Sequence, residues 1–253
     1  MNDFPSSPNM TLKVLSALMI CAGVAGCASV PRSGDEASLR TLKKLAVVSV
    51  LGQKVERTYI GFTVFNNAYS TEDFTPLKLD EYFEGLMAGA VSSTGRTVQS
   101  TTWDRASLAK ANEDMREVDV SKISDGIALV CRNAGADAVL LLSASTSSYG
   151  SSSIRFTGLS VWAGINRPAL LDTHGRLSLI SCSGQQLLAN RILGEGQGSD
   201  GKLFQTSVPS PARAQLQKGD SWTSEEKARI AASVKETNTK ILPGSTLKLL
   251  GEK

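Results

Sequence analysis

Leu45-Ala46-Val47-Val48-Ser49-Val50-Leu51, closed by Gly52, is a near-continuous apolar run. So short and so apolar a segment predicts a strand buried on both faces, the kind found in sheets covered by helices. Ala138-Val139-Leu140-Leu141-Leu142 repeats the pattern. Between the two runs lie two stretches of helical period. In the first, Phe83, Leu86, Met87, Ala90 and Val91 recur at i, i+3, i+4, i+7 and i+8, which places them on one stripe. Asp80 is expected to cap this helix, Glu81 and Glu84 suit its positive end, and Gly95 is expected to stop it. In the second, opened by Ser121, the stripe is Ile123, Ile127, Val130, Cys131 and Ala134, with Gly135 as the stop.

The outer segments extend this alternation. Arg96–Trp103 reads as a threonine-rich strand and Asp104–Val118 as a polar helical or irregular connection. Ser143–Ser153 reads as a serine-rich loop and Ile154–Trp162 as a strand or surface flap. Leu177–Cys182 and Gln186–Ile192 flank Ser183-Gly184 as a hairpin. Thr223-Ser224-Glu225-Glu226 is a capping box for a final helix to about Lys240, which Leu242-Pro243-Gly244 is expected to halt. The fold class is therefore α/β (α+β): a mixed sheet with helices packed on it, in the order strand-helix-strand-helix-strand-hairpin, then a C-terminal helix.

Ahead of the domain, Lys13 precedes the apolar run Val14–Ala22, followed by Val24-Ala25-Gly26-Cys27. The run is shorter than the roughly 20 residues a spanning helix needs. A positive flank, a short apolar core and small residues make the anatomy of a secretory signal. With a cysteine in place, the stretch resembles a bacterial lipobox. That resemblance implies lipidation of Cys27, cleavage before it and acylation of the new N-terminus. The expected plan is a signal over residues 1–26, a tether over 27–43 and one periplasmic α/β domain over 44–253. Met10 makes a better signal start than Met1, because Met1–Asn9 holds Asp3 and no basic residue. Ala28 and Ser29 do not resemble an Asp-type inner-membrane retention signal, so the expected place is the outer membrane, lipid-anchored and facing the periplasm.

The formal net charge of +3 is too mild to imply nucleic acid. Cys131 and Cys182 stay with the exported domain, where disulfides persist. A bridge between them and two separately buried thiols both remain open, the second being the plainer reading. No Cys/His spacing implies a metal, and no cofactor is implied. His174 is the one histidine. With Asp172 nearby and serines abundant it would have to serve any Ser/His/Asp hydrolase, but Gly-x-Ser-x-Gly is absent, and beside Gly175 it reads as a turn residue. Gly194-Glu195-Gly196-Gln197-Gly198 lacks the lysine and the strand–helix setting of a phosphate loop. No catalytic residue is assigned and no enzyme is expected. The candidate binding residues are the aromatics Tyr59, Phe62, Phe65, Tyr69 and Phe74, around the Asn66-Asn67 turn signal, with Trp162 after the serine-rich loop. Exposed aromatics anchor interfaces, and the alternative is an extra strand with Phe62 and Phe65 in the core.

Leu45–Leu51, the passage Tyr82–Gly95 followed by Arg96, Gly135-Ala136-Asp137-Ala138-Val139-Leu140, and the Leu177–Ile192 hairpin together resemble a known small α/β domain. It is shared by the periplasmic part of the curli secretion channel, the N-terminal domain of the Tol-associated propeller protein, and the lipoprotein activators of penicillin-binding proteins. The resemblance implies a non-catalytic interaction or activator module that binds another envelope protein. A monomer is favoured because neither Ile154–Trp162, which slips register at Gly158-Leu159, nor Tyr59–Phe65 keeps the apolar/polar alternation of a membrane strand. The other implication of the resemblance is a subunit of an oligomeric secretion assembly, with Gln53–Thr75 or Thr146–His174 supplying the contacts.

Overall fold

The run at Leu45 forms β1 (Lys44–Ser49), buried at every position after Lys44. The computed structural model describes residues 36–62, 64–112, 118–148, 155–165, 169–193, 208–209 and 221–252. The signal-like segment, Cys27 and the glycine run at Gly194 lie outside the described residues. Those described fall in one compact unit, Pro31–Lys253.

β1 is paired in parallel with β4 (Thr97–Gln99) and with β5 (Ala138–Ala144). Helix α2 (Leu79–Ser93) connects toward β4 and buries Phe83, Met87, Ala90 and Val91. Helix α4 (Val120–Ala134) connects β4 to β5 and buries Ile123, Ile127, Val130 and Cys131. The two stripes belong to separate core clusters, one holding Leu45, Val47, Leu140 and Leu142, the other Ala46, Val48, Val139 and Leu141. Since successive strand side chains alternate between faces, helices cover both faces of this sheet.

The rest of the chain lengthens the sheet. β2 (Lys54–Ile60) and β3 (Ala68–Asp73) form an antiparallel hairpin. β6 (Thr146–Ser148), β7 (Arg155–Gly164), β8 (Leu170–Ser181), β9 (Leu187–Ile192) and β10 (Val208–Pro209) follow. The order is β3-β2-β7-β8-β5-β1-β4, with β6 on β7 and both β9 and β10 on β8. β8 has 12 residues, buried at all but its two ends, and so spans about 40 Å. It pairs with β5 from Gly175 to Ser181 and with β7 from Leu170 to His174. β1, β5, β7 and β2 all run one way against it. β1 starts level with Ser181, while Ile60 at the end of β2 pairs with Gly164, beyond Leu170. The start of β1 and the β2–β3 tip therefore lie at opposite ends of β8.

Helix α5 (Ser224–Leu249) has 26 residues, about 40 Å of helix, and spans the same distance. Near its start Lys227 meets Glu72 of β3, at its middle Asn238 Nδ2 donates to Thr173 Oγ1 of β8, and just past its end Glu252 meets Arg96. Its capping box is formed, with Thr223 Oγ1 accepting from Glu226 N–H.

Several expectations change. α5 continues through Leu242-Pro243-Gly244, because Leu242 and Thr246 are fully buried and Leu249 nearly so; that packing outweighs the roughly 3 kcal/mol cost of an interior proline. Lys78, in a left-handed conformation at φ 51°, occupies the cap position of α2 in place of Asp80, whose side chain points back to the end of β1. α4 begins at Val120, capped by Asp119. The threonine-rich strand shrinks to β4; the connection after it holds α3 (Arg105–Leu108) and a 3-10 turn, Ala109–Asn112. The end of the stretch read as a tether is a helix, α1 (Glu36–Thr41), with Leu39 in the core. His174 lies inside β8, not in a turn. Gln53–Thr75 and Thr146–His174 supply β2, β3, β6, β7 and part of β8, strands built into the sheet.

Cys131 of α4 and Cys182 after β8 form a disulfide with Cα atoms 5.5 Å apart. The bridge closes a separation of 51 residues, for which chain-entropy reasoning gives about 4 kcal/mol. Cys182→Ser is expected to lower the unfolding free energy by about 2–4 kcal/mol in urea titrations. Dithiothreitol should reproduce the loss in the parent chain and add nothing in the variant.

Candidate partner-binding surface

The β2–β3 connection is a tight turn built from its own polar residues. Gly61 N–H donates to Asn67 Oδ1 (2.9 Å) across a 3-10 turn, Val64–Asn66. A Cβ at Gly61 would press on Asn66, with its carbonyl oxygen at 2.6 Å, so only glycine fits there. Asn67 Nδ2 in turn donates to Tyr69 Oη at 3.3 Å. The turn pushes its aromatics outward. Phe62 is 88% exposed, Phe65 93% and Tyr69 60%, and Ile165, in the neighbouring β7–β8 connection, is 39% exposed. Scattered exposed apolar residues need no explanation, but three aromatics and an isoleucine at one end of a sheet do.

The other aromatic candidates do not join them. Tyr59 is half-buried against the core. Phe74 is fully buried, edge-on to Trp222 at 6.1 Å. Trp162 is buried too, its Nε1–H donating to Asp172 Oδ2 (2.6 Å) and its ring 5.4 Å from Phe156. Phe74 and Trp162 are therefore packing residues, a correction to their reading as binding candidates. Ile165 was not anticipated, since an isoleucine beside a strand end carries no local mark of exposure.

A buried ion cluster braces the hairpin from below. Arg57 Nη1 lies 2.7 Å from Glu72 Oε1, and Lys227 Nζ 2.9 Å from Glu72 Oε2. Trp222 N–H donates to Glu72 Oε1 (3.2 Å), and the Arg57 guanidinium sits 4.9 Å over the Trp222 ring. Burial works to raise the Glu72 pKa, but Lys227, the Trp222 N–H and Arg57 outweigh it and hold the carboxyl below its usual range. The tip thus projects from a rigid base.

Two other polar clusters belong to the interior. Among the described residues His174 Nε2 has no hydrogen-bond partner; it lies 4.0 Å from Asp172 Oδ2, with Phe156 stacked on the ring. Burial lowers its pKa against the opposing pull of Asp172. No described serine hydroxyl bonds to that nitrogen, so the base–nucleophile contact of a hydrolase is not formed there. At the end of β1, Asp80 accepts from Ser49 Oγ–H (2.6 Å) and Gly52 N–H (2.7 Å) and pairs with Arg105 Nη1 (2.9 Å). Glu84 accepts from Ser49 N–H at 3.0 Å. Burial pushes Glu84 up to about 7; the Ser49 N–H and Arg105 offset this only in part, and Asp80 and Glu81 add to it. Among the described residues no group of three or more His, Cys, Asp or Glu is placed to hold a metal ion. No described helix is long and apolar enough to cross a membrane.

No protein-family profile matches the chain, and no curated protein sequence does. Among solved structures it is similar to lipoprotein GNA1162 from Neisseria meningitidis, at 12% identity and a TM-score of 0.29, covering 77% of this chain and 97% of that one. A likeness at that score carries nothing about shared function, and the reading below stands on this chain's own residues.

Phe65→Ala and Phe62→Ala should each change stability by less than about 0.5 kcal/mol, as exposed sites do. Phe74→Ala, in the same stretch of chain, should cost about 3–5 kcal/mol. Urea denaturation of the three variants checks the contrast. For Glu84, a folded pKa above the ordinary value means the folded state binds the extra proton, so its contribution falls as pH rises from about 4.5 to 7. Over that window Glu84→Gln should gain on the parent by at most about 3 kcal/mol. Paired titrations at pH 4.5 and 7.5 measure the gain, and comparison with the parent cancels the opposing contribution of His174.

Proposed function

We propose that this chain is a non-catalytic lipoprotein, anchored through Cys27 to the outer membrane on its periplasmic side, which engages another envelope protein through the tip formed by Phe62, Phe65 and Tyr69. The observation that carries the reading is the exposure of those aromatics at the end of the sheet remote from α1. The chain enters the domain at α1, and the length of β8, about 40 Å, separates that end from the tip. The Cys131–Cys182 bridge supports export, since such bonds form and last in oxidising compartments.

In cells, a photoreactive residue at position 65 should crosslink to one defined envelope protein, whereas one at Leu129, on the exposed side of α4, should not. Cys27→Ser should remove the chain from the outer-membrane fraction. Equal crosslinking from both positions would refute the tip as the contact, and a Cys27→Ser chain that still fractionates with outer membrane would refute the anchor.

A further inference from the structure

We propose that the outer edge of β3 is a strand-addition site, taking an extended segment of the partner protein laid along Thr71 and Tyr69 and onto Phe65. This rests on the tip reading above and adds the form of the partner to it. The phase of the hairpin decides which groups are open. Phe74 N–H donates to Gln53 O at 2.8 Å, continuing the register in which Glu72 faces Val55 and Ser70 faces Arg57. In an antiparallel ladder, alternate residues turn their backbone groups toward the partner strand. Glu72, Ser70 and Ala68 thus face β2, and Asp73, Thr71 and Tyr69 face away from it. The Asp73 carbonyl accepts from Lys227 Nζ (3.3 Å), which closes that end of the edge. Tyr69 and Thr71 remain, each with an outward N–H and C=O, and among the described residues β3 pairs only with β2.

Proteins normally blunt such an edge with lysine, proline, a bulge or extreme shortness. Ala68-Tyr69-Ser70-Thr71-Glu72-Asp73 has neither Lys nor Pro, and its pairing with β2 shows no register shift. The opposite edge, β4, is only three residues long. Backbone donors and acceptors repeating every second residue are matched by another strand, while neighbouring side chains supply selectivity. Here those neighbours are Tyr69 and Phe65, so the segment is extended and carries apolar side chains at the Phe65 end.

A second copy of this chain fits less well. Antiparallel pairing that uses only Tyr69 and Thr71 puts the two-fold axis at Ser70 and the two tips in opposite directions. Phe65 then meets the Thr75–Leu77 3-10 turn of the other copy, where no strand continues. Two outward residues per copy also fall well short of the roughly 800 Å² per partner of a stable interface.

The test uses dodecapeptides displayed on phage, selected on the full chain, with the best binder then made synthetically. Thr71→Pro removes one outward N–H and no hydrogen bond to β2, a position where edge strands accept proline; its melting temperature is measured beside the parent's. The expected results are affinity weakened about tenfold or more in Thr71→Pro, a similar loss in Phe65→Ala, and slowed amide exchange at Tyr69 and Thr71 with peptide bound. Failure to enrich any peptide, or a peptide that binds Thr71→Pro as well as the parent and protects neither amide, overturns the proposal. A dimer seen by light scattering and lost in Thr71→Pro overturns it in favour of a second copy. Should crosslinking from position 65 in cells persist in Thr71→Pro, strand addition fails while the tip reading stands. Strand addition fails in the same way if that crosslink is lost in Phe62→Ala but not in Thr71→Pro.

Discussion

Every layer of this protein depends on the pairing of β8. One edge of that strand serves two neighbours in succession, β5 along its second half and β7 along its first, and the other edge takes β9 and β10. Nearly all of it is withdrawn from water, where an unpaired backbone group would be costly. This continuity joins a helix-covered sheet around β1 to an extension around β2 and β7. It also explains why α5 is long: a helix that covers the inner face of both parts must match the strand in length.

The ion cluster at the base of the hairpin plays a different role. A buried pair is weak evidence of net stability, because desolvation offsets much of the attraction, whereas removing one partner is expensive. Arg57, Glu72 and Lys227 come from β2, β3 and α5, so their geometry is met only when all three elements are docked. The cluster therefore specifies where the hairpin sits more than it adds to the energy of folding. The buried His174 is likewise accounted for by the interior of a strand.

The central elements were legible because their signals are local. β1 and β5 are short apolar runs, α2 and α4 keep a helical stripe, and Ser183-Gly184 marks the β8–β9 turn. Other features depend on neighbours far away in sequence. Pro243 and Gly244 carry a strong local stop, and only the packing of Leu242 and Leu249 overrules it. Phe65 and Phe74 are the same residue type in the same polar stretch, yet one faces water and the other meets Trp222, far along the chain. A partial cue was present: Gly61 and Asn66-Asn67 bracket Phe62 and Phe65 with turn residues, whereas Phe74 stands outside the bracket. The edge character of β3 left little cue, since it lacks the lysine and proline that usually mark an edge strand.

The direct covalent path from α1 to the tip has a mechanical consequence. It runs through β1, the turn at Gly52 and β2, all along the long axis of the sheet. Tension between the two ends pulls β1 and β2 lengthwise past their neighbours. β1 is held by five register pairs to β5 and three to β4, and β2 by six to β7 and six to β3. Loaded in this direction, the ladders are strained together in shear rather than peeled open one bond at a time. Along the line that joins its two ends the domain therefore resists extension through several ladders at once.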